Sequence, residues 1–350
     1  MTPVEYDFLV RLLSAPGASS FESQPAALWR EQAGRYGARV ETDSYGNCFA
    51  TFGQGKPRVM LAGHIDEIGL LITYLDEQGF CYFKGIGGWD PQQLIGQRVR
   101  IVGYKGEVLG VLGRKPIHLI SEEDRKKLPK LEDLWLDIGA NSKQDALKYV
   151  RPGDFAVIEQ PVVELLNNRL VSKAIDNRIG AYIALEAARR SQQTPCQVVA
   201  VATVQEEIGG VGAAIAAHAL KPDVAIAIDV THATDVPTIN KKHHGDTPFG
   251  SGPSLAVGSY VHRGVLQQLI AVAEAEAIPY TLEAAPRHTA TDADDIAKNR
   301  GGVPTAVVSI PNRYMHSPSE MIDLGDLEQV IRLIAAFITQ LDAQSRFVQP

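Results

Sequence analysis

Apolar residues recur at spacings of three and four over residues 4–13 and 22–36, the period of amphipathic helices, so the chain is expected to open with two helices. The period then changes. Residues 39–42 and 47–52 flank Asp43-Ser44-Tyr45-Gly46, a hairpin-like turn sequence, and Arg58-Val59-Met60-Leu61-Ala62 has the continuous apolar character of a buried strand. That strand runs into Gly63-His64-Ile65-Asp66. From about residue 68 to 163 the texture is one of short alternating runs (70–75, 98–102, 107–112) separated by glycines, the pattern of a small β-barrel. After residue 167, helical segments (177–190, 210–220, 264–277, 327–341) alternate with apolar strands (197–204, 225–230, 305–310). Strand and helix in alternation predict an α/β sheet covered on both faces. The expected architecture is therefore a three-layer α/β/α domain made of residues 1–67 and 164–350, interrupted by a β-barrel insertion at 68–163.

The length of 350 residues exceeds one ordinary domain, which agrees with that division. With 45% apolar and 21% charged residues the chain has globular composition, and a net charge of −7 without a long basic run argues against nucleic acid as a partner. No apolar stretch approaches the roughly 18 residues that would cross a bilayer. The opening Met1-Thr2-Pro3-Val4-Glu5-Tyr6-Asp7 carries acids where a secretory signal carries bases, so a cytoplasmic protein is expected. Cys48, Cys81 and Cys196 are scattered and form no C-x-x-C pair, which points to reduced, structural thiols rather than disulfides or a cysteine zinc site.

There is no H-E-x-x-H, G-x-S-x-G, S-x-x-K or Walker phosphate loop. Gly209-Gly210-Val211-Gly212 lies between a strand and a helix, yet Ile215 stands where a dinucleotide fingerprint needs a small residue, and two glutamates precede it. What remains is a set of seven acids and histidines near the carboxyl ends of predicted strands, where open α/β sheets place their sites. His64 and Asp66 close one strand, Glu206 and Glu207 a second, Asp229 a third, and His316 follows a fourth, while Asp176 precedes a helix. Singly, each has a structural explanation; Asp176, for instance, would serve as a helix N-cap. Together, carboxylates converging on one edge would resist ionisation unless a cation compensated them, and a metal meets that need.

The blocks Ala62-Gly63-His64-Ile65-Asp66-Glu67, Ala174-Ile175-Asp176-Asn177-Arg178, Gln205-Glu206-Glu207-Ile208-Gly209, Asp229-Val230-Thr231-His232 and Arg313-Tyr314-Met315-His316-Ser317-Pro318 resemble those of the tetrahedral co-catalytic metallo-aminopeptidases, the glutamyl-aminopeptidase and cellulase-M-like group. Gly87-Gly88-Trp89-Asp90-Pro91 resembles the same family's β-domain. The resemblance implies a zinc-exopeptidase-like fold and two divalent ions, zinc or cobalt. In it Asp176 bridges the ions, His64 and Asp229 complete one shell, and Glu207 and His316 the other. It implies that Glu206 is the general base for a water shared by the ions, that Asp66 orients His64, and that a cis peptide joins Asp176 and Asn177. It further implies peptide substrates and an insertion that mediates dimers, which assemble into a tetrahedral dodecamer. Two rivals are a glycosidase or another di-metal amide hydrolase such as a deacylase, and a non-catalytic peptide-binding assembly protein. His232, His243 and His244 fit either a substrate pocket or a solvated loop, and Asp292, Asp294 and Asp295 are expected to start a helix rather than bind metal.

Overall fold

The computed structural model describes residues 1–349. Two helices, Pro3–Ser14 and Ser23–Arg35, lead into β1 (Arg39–Thr42), β2 (Cys48–Phe52) and β3 (Arg58–His64). A closed six-stranded barrel follows, built from β4 (Gly69–Leu75), β5 (Cys81–Ile86), β6 (Arg98–Gly103), β7 (Gly106–Arg114), β8 (Leu134–Asp137) and β9 (Phe155–Ile158). Its interior is a separate cluster that includes Leu70, Ile72, Val99, Ile101, Leu112 and Leu136.

After β10 (Val163–Leu165) and β11 (Arg169–Ser172), the chain returns to the main sheet through β12 (Gln197–Thr203), β13 (Val224–His232), β14 (Ser254–Gly258), β15 (Thr281–Ala285) and β16 (Thr305–Asn312). A last strand, β17 (Glu320–Asp323), pairs with β11 in a small three-stranded sheet, and the helix Leu324–Thr339 closes the chain. The eight-stranded sheet has the order β1-β2-β12-β3-β13-β16-β14-β15, with β12, β3, β13 and β16 mutually parallel. β14, β15 and the three-stranded sheet are absent from the sequence-based expectation.

The central strands are apolar throughout because both faces are covered. In β3, Val59 and Leu61 pack toward the helix Ile175–Arg190, while Met60 and Ala62 pack toward the helix Val211–Leu220 on the opposite face. β12 divides in the same way, with Val198 and Ala200 on one side and Val199 and Val201 on the other. This period-two division builds three layers from near-continuous apolar runs. Among the described residues, no helix is long and apolar enough to cross a membrane.

A buried ionic knot fixes the segments that flank the sheet's carboxyl edge. Both oxygens of Glu67 accept from Lys173 Nζ at 2.8 Å, and Oε1 also accepts from Arg178 Nη2 at 2.9 Å and from the Gly17 amide at 3.2 Å. The fully buried Arg178 donates as well to the carbonyls of Leu12 and Ile65. Buried charges persist only when paired and hydrogen-bonded in this way.

Candidate metal centre

Strand register brings the edge residues to one level. His64 pairs with Thr203 across β3 and β12, and Ala62 lies opposite Ala227 on β13, so Asp229 sits level with His64 two residues further along. Asp176 enters from the helix Ile175–Arg190, whose Asp176 and Asn177 keep non-helical backbone angles. Asn177 anchors this turn: its Nδ2 donates to the Ile228 carbonyl at 2.8 Å, and its Oδ1 accepts from the Gly180 amide at 3.0 Å. The Asp176–Asn177 peptide is cis, as expected. Several non-glycine residues at or beside the cluster adopt left-handed backbone angles, namely Ala174 (φ 55°), Gln205 (φ 59°), Tyr314 (φ 63°) and His316 (φ 58°). Such conformations concentrate where surrounding structure holds a functional geometry.

At the centre, the two oxygens of Asp176 face two different histidines. His64 Nε2 is 3.3 Å from Oδ1, and His316 Nε2 is 3.3 Å from Oδ2. Glu207 Oε2 is also 3.3 Å from His316 Nε2, and Glu206 Oε2 is 3.7 Å from His64 Nε2. Donors held about 2.0–2.1 Å from one tetrahedral ion lie about 3.4 Å from each other, so these separations match pairs of atoms sharing an ion better than they match hydrogen bonds. Glu207 Oε1 is buried without a hydrogen-bond partner, as a ligand oxygen would be before its ion arrives. One donor each from His64, Asp176 and Glu207 fall within 4.8 Å of one another. The residues present therefore fit a divalent-metal centre.

The electrostatics show the strain of crowding these groups together. Burial pushes the Asp229 carboxyl well up, with Asp176 and Glu206 adding to the effect, although His64 opposes it. Burial likewise pushes Glu206 up to about 8, helped by Asp292, Glu207 and Asp176 against the pull of His64. The neighbouring carboxylates of Asp176 and Glu207 raise His316 to about 11.

Asp66 works from behind. Its Oδ1 lies 3.4 Å from His64 Nδ1, the ring nitrogen turned away from Asp176. The same carboxylate accepts from Ser19 Oγ at 2.6 Å and from the amides of Glu206 and Glu207 at 3.2 Å each, so it braces the turn that carries both glutamates. His316 Nδ1 is 2.9 Å from the carbonyl of Gly88, which follows β5 of the barrel, so the segment after this strand supplies one wall of the centre.

Two neighbouring acids do more than the sequence-based expectation gave them. Asp292 does precede a helix, Ala293–Ala297, but makes no capping bond; its buried carboxylate takes the Thr203 hydroxyl instead, leaving Oδ1 without a partner. Glu320 is missed altogether. Only 2% exposed, it accepts the His316 amide at 2.8 Å through Oε1 and the Asp176 amide at 2.9 Å through Oε2. One carboxylate thus holds the backbones of two central residues, and its only sequence signal is an acid four positions after His316. Asp294 accepts from the amides of Thr289 and Ala290, closing the loop before the short helix.

Comparison with known proteins places this cluster in a wider setting. A family model described as M42 glutamyl aminopeptidase matches residues 46–333. The lysyl aminopeptidase of Pyrococcus furiosus is 35% identical over 341 residues, covering 97% of this chain and 98% of the relative. A TET aminopeptidase from a marine-sediment Thaumarchaeota archaeon is 35% identical, superposes with a TM-score of 0.93 and is covered over 98% of both chains. The TET1 peptidase of Pyrococcus horikoshii, which can assemble into a tetrahedron or a large octahedral shell, is 32% identical with a TM-score of 0.84, over 96% of this chain and 100% of that one.

Proposed function

Because the chain belongs to the M42 glutamyl aminopeptidase family, we propose that it removes N-terminal residues from peptides at a dinuclear centre held by His64, Asp176, Glu207, Asp229 and His316. The observation that carries this reading is the division of Asp176, one oxygen toward each histidine at the same 3.3 Å. A carboxylate set between two donor groups in this way is suited to bridging two ions. Asp229 would hold the ion on the His64 side and Glu207 the one on the His316 side. Nitrogen and oxygen donors suit zinc and cobalt alike. Bound there, two divalent ions supply Lewis acidity toward a water and toward the scissile carbonyl.

The protein's own groups handle orientation and protons. Asp66 holds the His64 ring through Nδ1, keeping Nε2 turned inward, and fixes the Glu206 backbone. Glu206 lies beside the centre without being one of the proposed ligands. Its carboxylate takes the proton of the attacking water and returns it to the departing amine, a role that contributes about 10² to 10⁴ in rate. Glu206→Gln keeps the shape and the ligands, so the variant should bind its full complement of metal while losing at least about a hundredfold in kcat. Metal content by atomic spectrometry and hydrolysis of aminoacyl amides read the two effects separately, and wild-type turnover in the variant would remove Glu206 from the mechanism.

The division into residues 1–67 and 164–350 around an inserted 68–163 module belongs to the same proposal, with the barrel mediating dimers that build a dodecamer. Exposed Leu109, Val111, Ile117, Leu119 and Leu128 give that module an apolar outer surface suited to such contacts.

A further inference from the structure

A cavity of about 640 Å³ opens at the same sheet edge as the proposed centre. Its lining includes Thr231 and His232, two and three residues past Asp229 on β13, and Met315, which immediately precedes His316. At a rise of about 3.3 Å per residue, these strand positions lie about 7 to 10 Å beyond Asp229, within reach of a long side chain whose own amino terminus sits at the centre. We infer that this cavity receives the side chain of the peptide's first residue and that Glu283 selects a basic one, lysine or arginine. The inference rests on the aminopeptidase reading above and deepens it to a substrate class.

The charges facing the cavity decide its preference. Arg313 is already neutralised: its Nε and Nη2 donate to Asp235 at 3.1 and 2.6 Å, and its guanidinium lies 4.2 Å from the centroid of the Phe249 ring. Glu283 has no such partner. Its one side-chain hydrogen bond is accepted from the Ser254 hydroxyl at 3.3 Å, and among the described residues no lysine, arginine or histidine forms an ion pair with it.

Glu283 lines the cavity together with its β15 neighbours Leu282 and Ala284, and Thr281, two residues before it, meets Thr247 of the cavity wall hydroxyl to hydroxyl at 3.5 Å. Of the two lining residues that carry a carboxylate or guanidinium, Arg313 and Glu283, only the glutamate has no ion-pair partner among the described residues. Val236, Ile239 and Met315 supply apolar wall for the methylene stem of a lysine or arginine.

The test uses the full-length, metal-loaded protein and p-nitroanilides of lysine, arginine, leucine and glutamate. Lysyl and arginyl substrates should exceed the glutamyl one in kcat/KM by a hundredfold or more. Glu283→Gln should lower the lysyl-to-leucyl ratio at least tenfold, and Glu283→Lys should turn the preference toward glutamate. A lysyl-to-leucyl ratio unmoved by both variants, or a wild-type preference for glutamate, overturns the assignment while leaving the aminopeptidase intact. Failure of every aminoacyl substrate with full metal occupancy would overturn both.

Discussion

In the metal-free protein at neutral pH, His64 and His316, the histidines of the proposed centre, should both be protonated. His316 is raised to about 11 by the neighbouring carboxylates of Asp176 and Glu207. For His64, burial opposes the charged form, but the carboxylates of Glu206, Asp176 and Asp66 outweigh it and hold the ring well above its usual range. An imidazole that binds metal must be neutral there, so filling the two proposed sites expels at least two protons. The overall constant for binding two ions should therefore rise about a hundredfold per pH unit, or about 2.7 kcal/mol, between pH 6 and 8. The sign for the metal-free fold is the reverse. A histidine with a raised folded pKa contributes stability that is complete below its unfolded value of about 6.5 and is lost as pH climbs toward the folded value. The chelated protein should weaken as pH rises above neutrality while metal binding tightens. Competition against a chromophoric chelator across the pH range gives the slope, and calorimetry in buffers of different ionisation heat counts the protons. A slope near zero, or a slope unchanged in His316→Asn, would show that these rings are neutral before metal arrives and would refute the electrostatic account.

Glu320→Gln should bind metal roughly 10 to 100 times more weakly, because an amide offers one acceptor oxygen to two amides and sets its own N–H groups against the other; wild-type affinity in chelator competition would mean that Glu320 does not position Asp176 and His316. Gly63→Ala should destabilise the metal-free protein by about 1 to 3 kcal/mol, since a new Cβ on β3 would press into the backbone of Gly180 and Ala181 in the facing helix. Urea unfolding measures the loss, and an unchanged midpoint would show that this helix can back away from the sheet.

The sheet and barrel were legible because their signals are local. Residues 58–62 form an unbroken apolar run that only a strand covered on both faces needs, and the glycine-punctuated runs after residue 68 have no helical period. β15 escaped because Thr281-Leu282-Glu283-Ala284-Ala285 is a half-exposed edge strand of weak alternation. β11 and β17 escaped because their pairing joins segments about 150 residues apart, a contact that no window along the chain contains. The site divides in the same manner. His64, Glu207 and His316 announce themselves by standing at or just past strand ends, and Asp229 by being an acid within an apolar strand. Glu320 does its work through backbone amides, which any carboxylate could bind, and Asp292 precedes a helix as capping aspartates do while its side chain turns to Thr203.

What the sequence could not convey is how the protein tolerates so many acids in one buried place. Asp176, Glu206, Glu207, Asp229, Asp292 and Glu320 share the neighbourhood, and burial raises all of them except Asp176, which His316 and His64 hold low against the same desolvation. The basic side chains flanking Asp176 do not help, because Lys173 and Arg178 are both committed to Glu67. That commitment has its own use: through Arg178 and Lys173, the knot ties the segment carrying His64 and Asp66 to the segment carrying Asp176, so the donor atoms stay fixed while their charges remain unbalanced. A hydrophobic core alone would relieve the repulsion by letting the acids swing apart or stay protonated. A rigid frame with no spare cation leaves divalent metal as the remaining source of balance, and binding energy gained there stabilises the folded chain by mass action. The same rigidity that makes the metal-free site electrostatically costly is what holds the two histidines on opposite oxygens of Asp176.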